Sequence, residues 1–263
     1  MKPYVGVTGP VNKKEVRQIC EEFARANYTM ESSHVPMLGF LVSHKTLKGE
    51  ETKNRRYPLF KDLEEMLIET KGETFNMIHY NSREMSTLAS QISRLFSETG
   101  IYENGLCRAL QMNIVWPDVN QVGKIQDSFP ELKIVFQASE MAMKNKTPQE
   151  IAQGIKEYGD NLDYILIDPS GGNGMSFELE DFLETYYQIK STSPGLSLGL
   201  AGGFDGTNVF SRVEEIESKI GTNSFSIDAE GRLRDKVSDT YGDDLLNIGK
   251  VENYLYFASM VLE

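Results

Sequence analysis

Residues 163–177, DYILIDPSGGNGMSF, read as one structural repeat with its punctuation in place. YILID is an apolar run of strand length that ends on a carboxylate, Asp168. PSGGNG breaks any regular structure, and helical spacing resumes through Tyr186 and Tyr187. A buried strand, a glycine-rich loop and a helix make one βα unit.

The same alternation extends to both ends of the chain. Upstream, strands are expected at 3–8, 35–43, 75–80, within 106–114 and at 133–138, with helices at 12–27, 59–69, 85–97, 119–128 and after Thr147. Downstream, strands are expected at 196–201 and 224–228, with helices at 208–220 and 245–262. Three helix starts carry their own signals. Asn12 precedes Glu15 by three positions, Thr147-Pro148 precedes Glu150, and Pro117 occupies a first-helical-turn position. Eight strand and helix pairs in an unbroken series imply a parallel sheet, and eight is the number that closes. The expectation is an α/β fold, a (β/α)8 TIM barrel, as a single domain over residues 1–263. An open doubly wound sheet competes, but no stretch is left over for a second domain.

Lys plus Arg number 27 against 39 Asp plus Glu, a formal charge of −12, which argues against nucleic acid as a partner. Apolar residues at 40% and charged residues at 25% suit a folded globular chain. No run approaches the ~20 apolar residues of a membrane span, and MKPYVGVTGP lacks a secretory core, so no membrane partner and a cytoplasmic location are expected. Cys20 and Cys107 form neither a disulfide framework nor a zinc-binding pair. Oligomeric state is left open, a homodimer included.

A barrel gathers its chemistry where strands end at their C-termini. The side chains expected there are Thr8, Ser43, His44, His79, Asn113 and Gln137, followed by Asp168, Gly202, Gly203, Asp228 and Glu230. Asp168, ending an apolar strand before a flexible loop, is placed to act as a partly desolvated general acid, or to cap its own loop. Gly171, Gly172 and Gly174 allow a lid or a close approach to substrate, and GGNG lacks the Lys and Ser or Thr of a nucleotide-binding P-loop. Gly202 and Gly203 precede a helix start and fit either an anion cradle or a tight turn. No lysine falls at a strand end for Schiff-base chemistry. His34, His44 and His79 lack metal-ligand spacing, so neither a metal nor a cofactor is called for.

Two of these motifs carry a resemblance. DYILIDPSGGNGMSF at 163–177 resembles the sixth-strand signature of phosphoribosylanthranilate isomerases, and LAGGFDGTNV at 200–209 is similar to that family's seventh-strand phosphate motif. Weaker echoes are GVT at 6–8, GFLVSHK at 39–45 and LQMN at 110–113. The resemblance implies an Amadori-type isomerisation, in which a base takes the C2′ proton of a ribosyl amine while an acid protonates the ring oxygen. Asp168 matches the acid, and Arg55 or Arg56 resembles the arginine that grips the anthranilate carboxylate; a solvated basic run is the plain alternative. The glycine loops would hold phosphate, with Gly202, Gly203, Asp228, Ala229 and Gly231 as its site.

Three departures stand out. Aligning GVT puts Val5 where the family carries its cysteine base, and valine cannot accept a proton. IDAEGRLRD at 227–235 brings Glu230 toward a phosphate, with Arg232 as a counterweight, and the loop at 45–53 is longer than the family's. His79 is the candidate replacement base, since histidine titrates near neutrality, although a hydrogen-bonded rim histidine is the simpler reading. The expected ligand is a phosphorylated sugar derivative. An isomerase-like enzyme, a binding or regulatory barrel without catalysis, and a lyase or epimerase on another sugar phosphate remain the readings.

Overall fold

The structure, a computed structural model, describes residues 2–169, 179–222 and 224–262, with the side chain of Asp181 left aside. Eight parallel strands close on themselves in chain order, β1 (Tyr4–Thr8), β2 (Val35–Ser43), β3 (Phe75–Asn81), β4 (Ala109–Met112), β5 (Lys133–Ser139), β6 (Tyr164–Asp168), β7 (Ser197–Ala201) and β8 (Phe225–Ala229). The seam pairs Gly6 of β1 with Asp228 of β8. Around them lie α1 (Lys13–Arg25), α2 (His44–Leu47), α3 (Leu63–Glu69), α4 (Leu88–Ser93) and α5 (Val119–Ser128). The ring continues with α6 (Glu140–Met143), α7 (Pro148–Lys156), α8 (Leu179–Thr192), α9 (Val209–Ile220) and α10 (Ile248–Ser259). Among the described residues no helix is long and apolar enough to cross a membrane.

Two cores follow from the period of the strand. Val5, Val7, Leu38, Phe40, Ile78 and Tyr80 belong to the layer between barrel and helices, packed with Val16, Ile19 and Phe23 of α1. The alternate residues point inward: Tyr4, Met37, Met77, Val135, Tyr164 and Leu166 fill the lower lumen. Continuing that alternation toward the C-terminal ends, the lumen turns polar, with Thr8, His79, Gln111, Gln137, Asp168 and Asp228 all buried. The barrel is therefore plugged with hydrocarbon below and lined with hydrogen-bonding groups at the mouth.

The helix starts follow their residues. Asn12 accepts the Glu15 N–H at 3.0 Å, while Glu15 reaches past the cap to accept the Val11 N–H at 2.8 Å. Thr147 and Glu150 complete a capping box with Pro148 at the first helical turn. Pro117 is displaced from its expected place: Asp118 is the N-cap of α5 and accepts the Gln121 N–H, so the proline precedes the cap.

Larger differences lie in the loops. The polar stretch after β2 contains α2, which Ser43 and Thr46 close with a capping box. The helix expected over 245–262 begins only at Ile248, behind the Asn247 cap. In front of it a hairpin of β9 (Arg234–Lys236) and β10 (Asp244–Leu246) folds back over the barrel rim. Neither cysteine is paired, and burial pushes the Cys107 thiol up to about 12.

Candidate active site

The mouth of the barrel holds a small cavity of about 30 Å3, opening beside a wider one of about 310 Å3. Asn113, Gln137 and Glu230 line both, so the two are lobes of one depression. The first lobe lies over β6, β7 and β8 and is lined by Asp168, Asp228, Gly202, Gly203, Gly231 and Arg232, with His79 and Gln111 beneath. Three carboxyl groups, those of Asp168, Asp228 and Glu230, thus face one small volume.

Asp168 is 2% exposed and accepts a 2.6 Å hydrogen bond from the Gln137 amide, which fixes the plane of its carboxylate. Asp228 is 6% exposed and accepts the Thr8 hydroxyl at 3.0 Å. Burial, with the charges of Glu230 and Asp168 nearby, drives the Asp228 carboxyl well above the ordinary carboxylate range, against the opposing pull of the Thr8 bond. Burial also raises Glu230, partly offset by Arg56. Two of the three acids are therefore biased toward keeping a proton.

His79 occupies the floor rather than the rim. It points into the lumen midway along β3, is 1% exposed, and burial lowers it to about 3. That corrects its assignment as replacement base: an imidazole so reluctant to take a proton is a poor acceptor at neutral pH. Its Nδ1 lies 3.3 Å from the Gln111 amide. A methyl group on Gly39 would stand 2.3 Å from Thr8 Oγ1 and 2.8 Å from His79 Nε2, so only glycine lets these two polar groups approach. His34 lies at the opposite end of the barrel, 3.0 Å from the Phe225 carbonyl, and His44 faces Glu84 outside the mouth. Ser43, spent on capping α2, likewise leaves the expected set.

Val5 needs a correction of another kind. Its side chain is fully buried in the layer facing α1 and α10, so the position assigned to a base does not look into the lumen. The inward residues of β1 are Tyr4, Gly6 and Thr8; a Cβ on Gly6 would come within 2.6 Å of Asp228 Oδ1.

The arginines expected to grip a carboxylate are committed elsewhere. Arg56 Nη2 lies 2.6 Å from Asp244 and its Nη1 2.8 Å from Glu230, while its guanidinium covers the Tyr241 ring at 4.8 Å. Arg234, 2% exposed at its side chain, completes the cluster with a 2.5 Å contact to Asp244 and a 3.0 Å bond to the Gly9 carbonyl. Burial alone would raise Asp244, but the hydrogen bonds from Arg56 and Arg234 hold it below the usual carboxylate range. Arg55 stays at the surface, 3.3 Å from Asp243. This network clasps the loop after β2 to the hairpin after β8, and neither its hairpin acid nor Arg234 was foreseen from sequence.

The phosphate cradle is also redrawn. Gly202 and Gly203 line the first lobe with φ of 115° and 73°, a left-handed course that side chains resist. Beyond them the Asp205 carboxylate already accepts the Thr207 N–H at 2.8 Å, the Thr207 hydroxyl at 2.6 Å and Arg232 Nη1 at 2.9 Å. Ala229 packs outward in the barrel–helix layer, and its N–H serves the Asp228 carboxyl, so it leaves the phosphate set. Asp228 faces the lobe through its carboxyl group, beside the acids Asp168 and Glu230. Gly231 remains on the rim, and Gly171, Gly172 and Gly174 lie outside the described residues. Among the described residues no cluster of three metal-ligating side chains is found.

No family model matches the chain, and no curated protein matches it either. Solved structures do. TrpF from Jonesia denitrificans is similar with a TM-score of 0.61 at 15% identity, over 98% of this chain and 98% of that one. Phosphoribosyl anthranilate isomerase from Thermotoga maritima is similar with a TM-score of 0.61 at 14% identity, over 98% and 99%. The sialic acid synthetase of Leptospira borgpetersenii gives 0.60 at 11% identity, over 98% and 84%. The chain has the fold of these TIM-barrel enzymes; identities this low speak to architecture alone.

Proposed function

We propose that this chain is an acid–base enzyme that isomerises a phosphorylated sugar derivative at the barrel mouth. The observation that carries it is the pair Asp168 and Asp228, presented by β6 and β8 to one cavity in unlike environments. Two carboxyls held by different partners, Gln137 on one and Thr8 on the other, can divide acid and base steps between them. Asp228, held toward its protonated form, donates a proton to the sugar's ring or carbonyl oxygen. Asp168, fixed by Gln137, removes the carbon-bound proton at C2. Loss of the C2 proton with protonation of the oxygen gives an enediol or enolamine, and return of a proton to C1 as the C2 hydroxyl gives up its own completes the ketose, with no net gain or loss of protons. This reverses the part given to Asp168 by the family resemblance, and it needs no base on β1.

Gly202, Gly203, Gly231 and Arg232 supply the phosphate end, Arg232 bringing the positive charge that lines the first lobe. The sugar-phosphate substrate follows from the resemblance at 163–177 and 200–209, and it is compatible with the fold shared with the enzyme named phosphoribosyl anthranilate isomerase. The absence of a proton acceptor on the inward face of β1, where Gly6 and Thr8 stand, favours the second reading, a phosphosugar-binding barrel without turnover.

Turnover separates the two. The purified protein is assayed with phosphoribosylanthranilate and a panel of aldose phosphates, following C2-proton exchange in deuterated water. Asp168→Asn and Asp228→Asn are each expected to reduce exchange by about 10²- to 10⁴-fold. Phosphosugar binding with no exchange in the native protein would install the binding reading; cleavage or inversion in place of ketose would install a lyase or epimerase.

A further inference from the structure

The second lobe has no role in that chemistry, and its lining tells against the ligand the resemblance suggests. It is walled by Tyr57, Tyr241, Asn54 and Asn81, with Glu140 and Glu230 on either side. No lysine or arginine lines it among the described residues, and the sequence of 170–178 contains neither. Arg56, the nearest cation by sequence expectation, is held by Asp244 and Glu230. A carboxylate entering here would shed its water inside a chain of net charge −12 and meet two acids, neutral hydroxyls and amides, and among the described residues no lining cation to balance its charge. A planar ring carrying N–H groups would meet tyrosine faces and acceptors instead. The Asn81 amide donates to the Asn113 carbonyl at 3.0 Å, a bond that does not engage its side-chain oxygen.

We infer that the second lobe receives a planar ring that bears N–H donors and no carboxylate, attached to the sugar that the first lobe holds. The inference rests on the proposed function for the sugar, but its test does not. Two probes share one ring and one amino group: 2-aminobenzamide and anthranilate, which differ only in carboxamide against carboxylate. Binding of each to the full chain is measured at pH 7.5 by saturation-transfer NMR, without sugar, phosphate or turnover.

2-Aminobenzamide is expected to bind about tenfold or more tightly than anthranilate, the worth of one charged group left without a partner. Tyr241→Ala, at a side chain 57% exposed, should abolish its signal, and Met141→Arg, at a position 60% exposed, should bring anthranilate level with the amide or above it. Anthranilate binding the native chain as tightly as the amide overturns the inference, as does a signal from neither probe or one indifferent to Tyr241→Ala. Because no catalysis is read, such a failure leaves the Asp168 and Asp228 assays standing, and their failure leaves this one intact.

Discussion

A carboxyl sealed in a barrel is comfortable only while it keeps its proton, and Asp228 is such a group. The folded chain binds that proton more tightly than the unfolded chain, whose aspartates titrate near ~3.9. The stability it contributes is therefore full below about pH 4 and is lost as pH rises toward the elevated folded value. Asp228→Asn, which keeps an acceptor for Thr8, should unfold at higher temperature than the native chain, by a margin that widens from pH 4 to pH 8 in calorimetry. It should do so while losing activity. His79 works in the opposite direction. Its folded value of about 3 lies below the unfolded ~6.5, so the folded chain binds fewer protons and loses stability as pH falls through that window. The loss amounts to on the order of 3 kcal/mol at pH 4, and His79→Gln should flatten the curve there. Val5→Cys buries a thiol in the barrel–helix layer; it should gain no isomerase activity and resist thiol reagents in the native state, and a reactive, activating cysteine would refute the assignment of that face.

At the scale of elements, the clasp between the loop after β2 and the β9–β10 hairpin is the feature with most at stake. Asp244 is only 7% exposed at its side chain and Arg56 6%, so removing Arg56 leaves Asp244 to Arg234 alone and takes the Arg56 cation from Glu230 in a nearly closed space. Arg56→Ala should cost about 3–5 kcal/mol, with amide exchange rising first in 48–58 and 234–246. Arg56→Lys should rescue little, because one ammonium cannot span Asp244 and Glu230 as the fork does. If both variants keep native exchange in those segments, the clasp is ornamental. The cap at α7 is a smaller device of the same kind: Thr147→Ala is expected to cost about 1 kcal/mol in thermal unfolding.

For the whole molecule, the sequence made the architecture readable because each unit repeats the same switch from apolar run to helical period, and β2 and β6 fall at the positions that pattern marks. What it concealed follows from physics. Parallel strands are buried on both faces, so YVGVT carries no polar alternation to say that Val5 looks outward; only the closed ring decides it. The three-residue strands of the hairpin are charged and short, and read as loop. Arg56 and Asp244 are separated by 188 positions, beyond any local signal. Asp168 and Asp228 were both placed at the mouth from sequence, but the environment of Asp228 depends on its closed neighbours. A net charge of −12 on a compact chain also predicts that raising sodium chloride from about 20 to 300 mM will increase the melting temperature by screening self-repulsion.

The clasp has one more consequence, for engineering. Barrel enzymes are commonly treated as eight exchangeable cassettes on a fixed ring, but here Gly9, Arg56, Glu230, Arg234 and Asp244 answer to one another across the segments following β1, β2 and β8. Those three segments are heritable only as a set. Grafts that replace one alone import an orphaned ion, whereas libraries built after β3, β4 and β5 inherit no such debt.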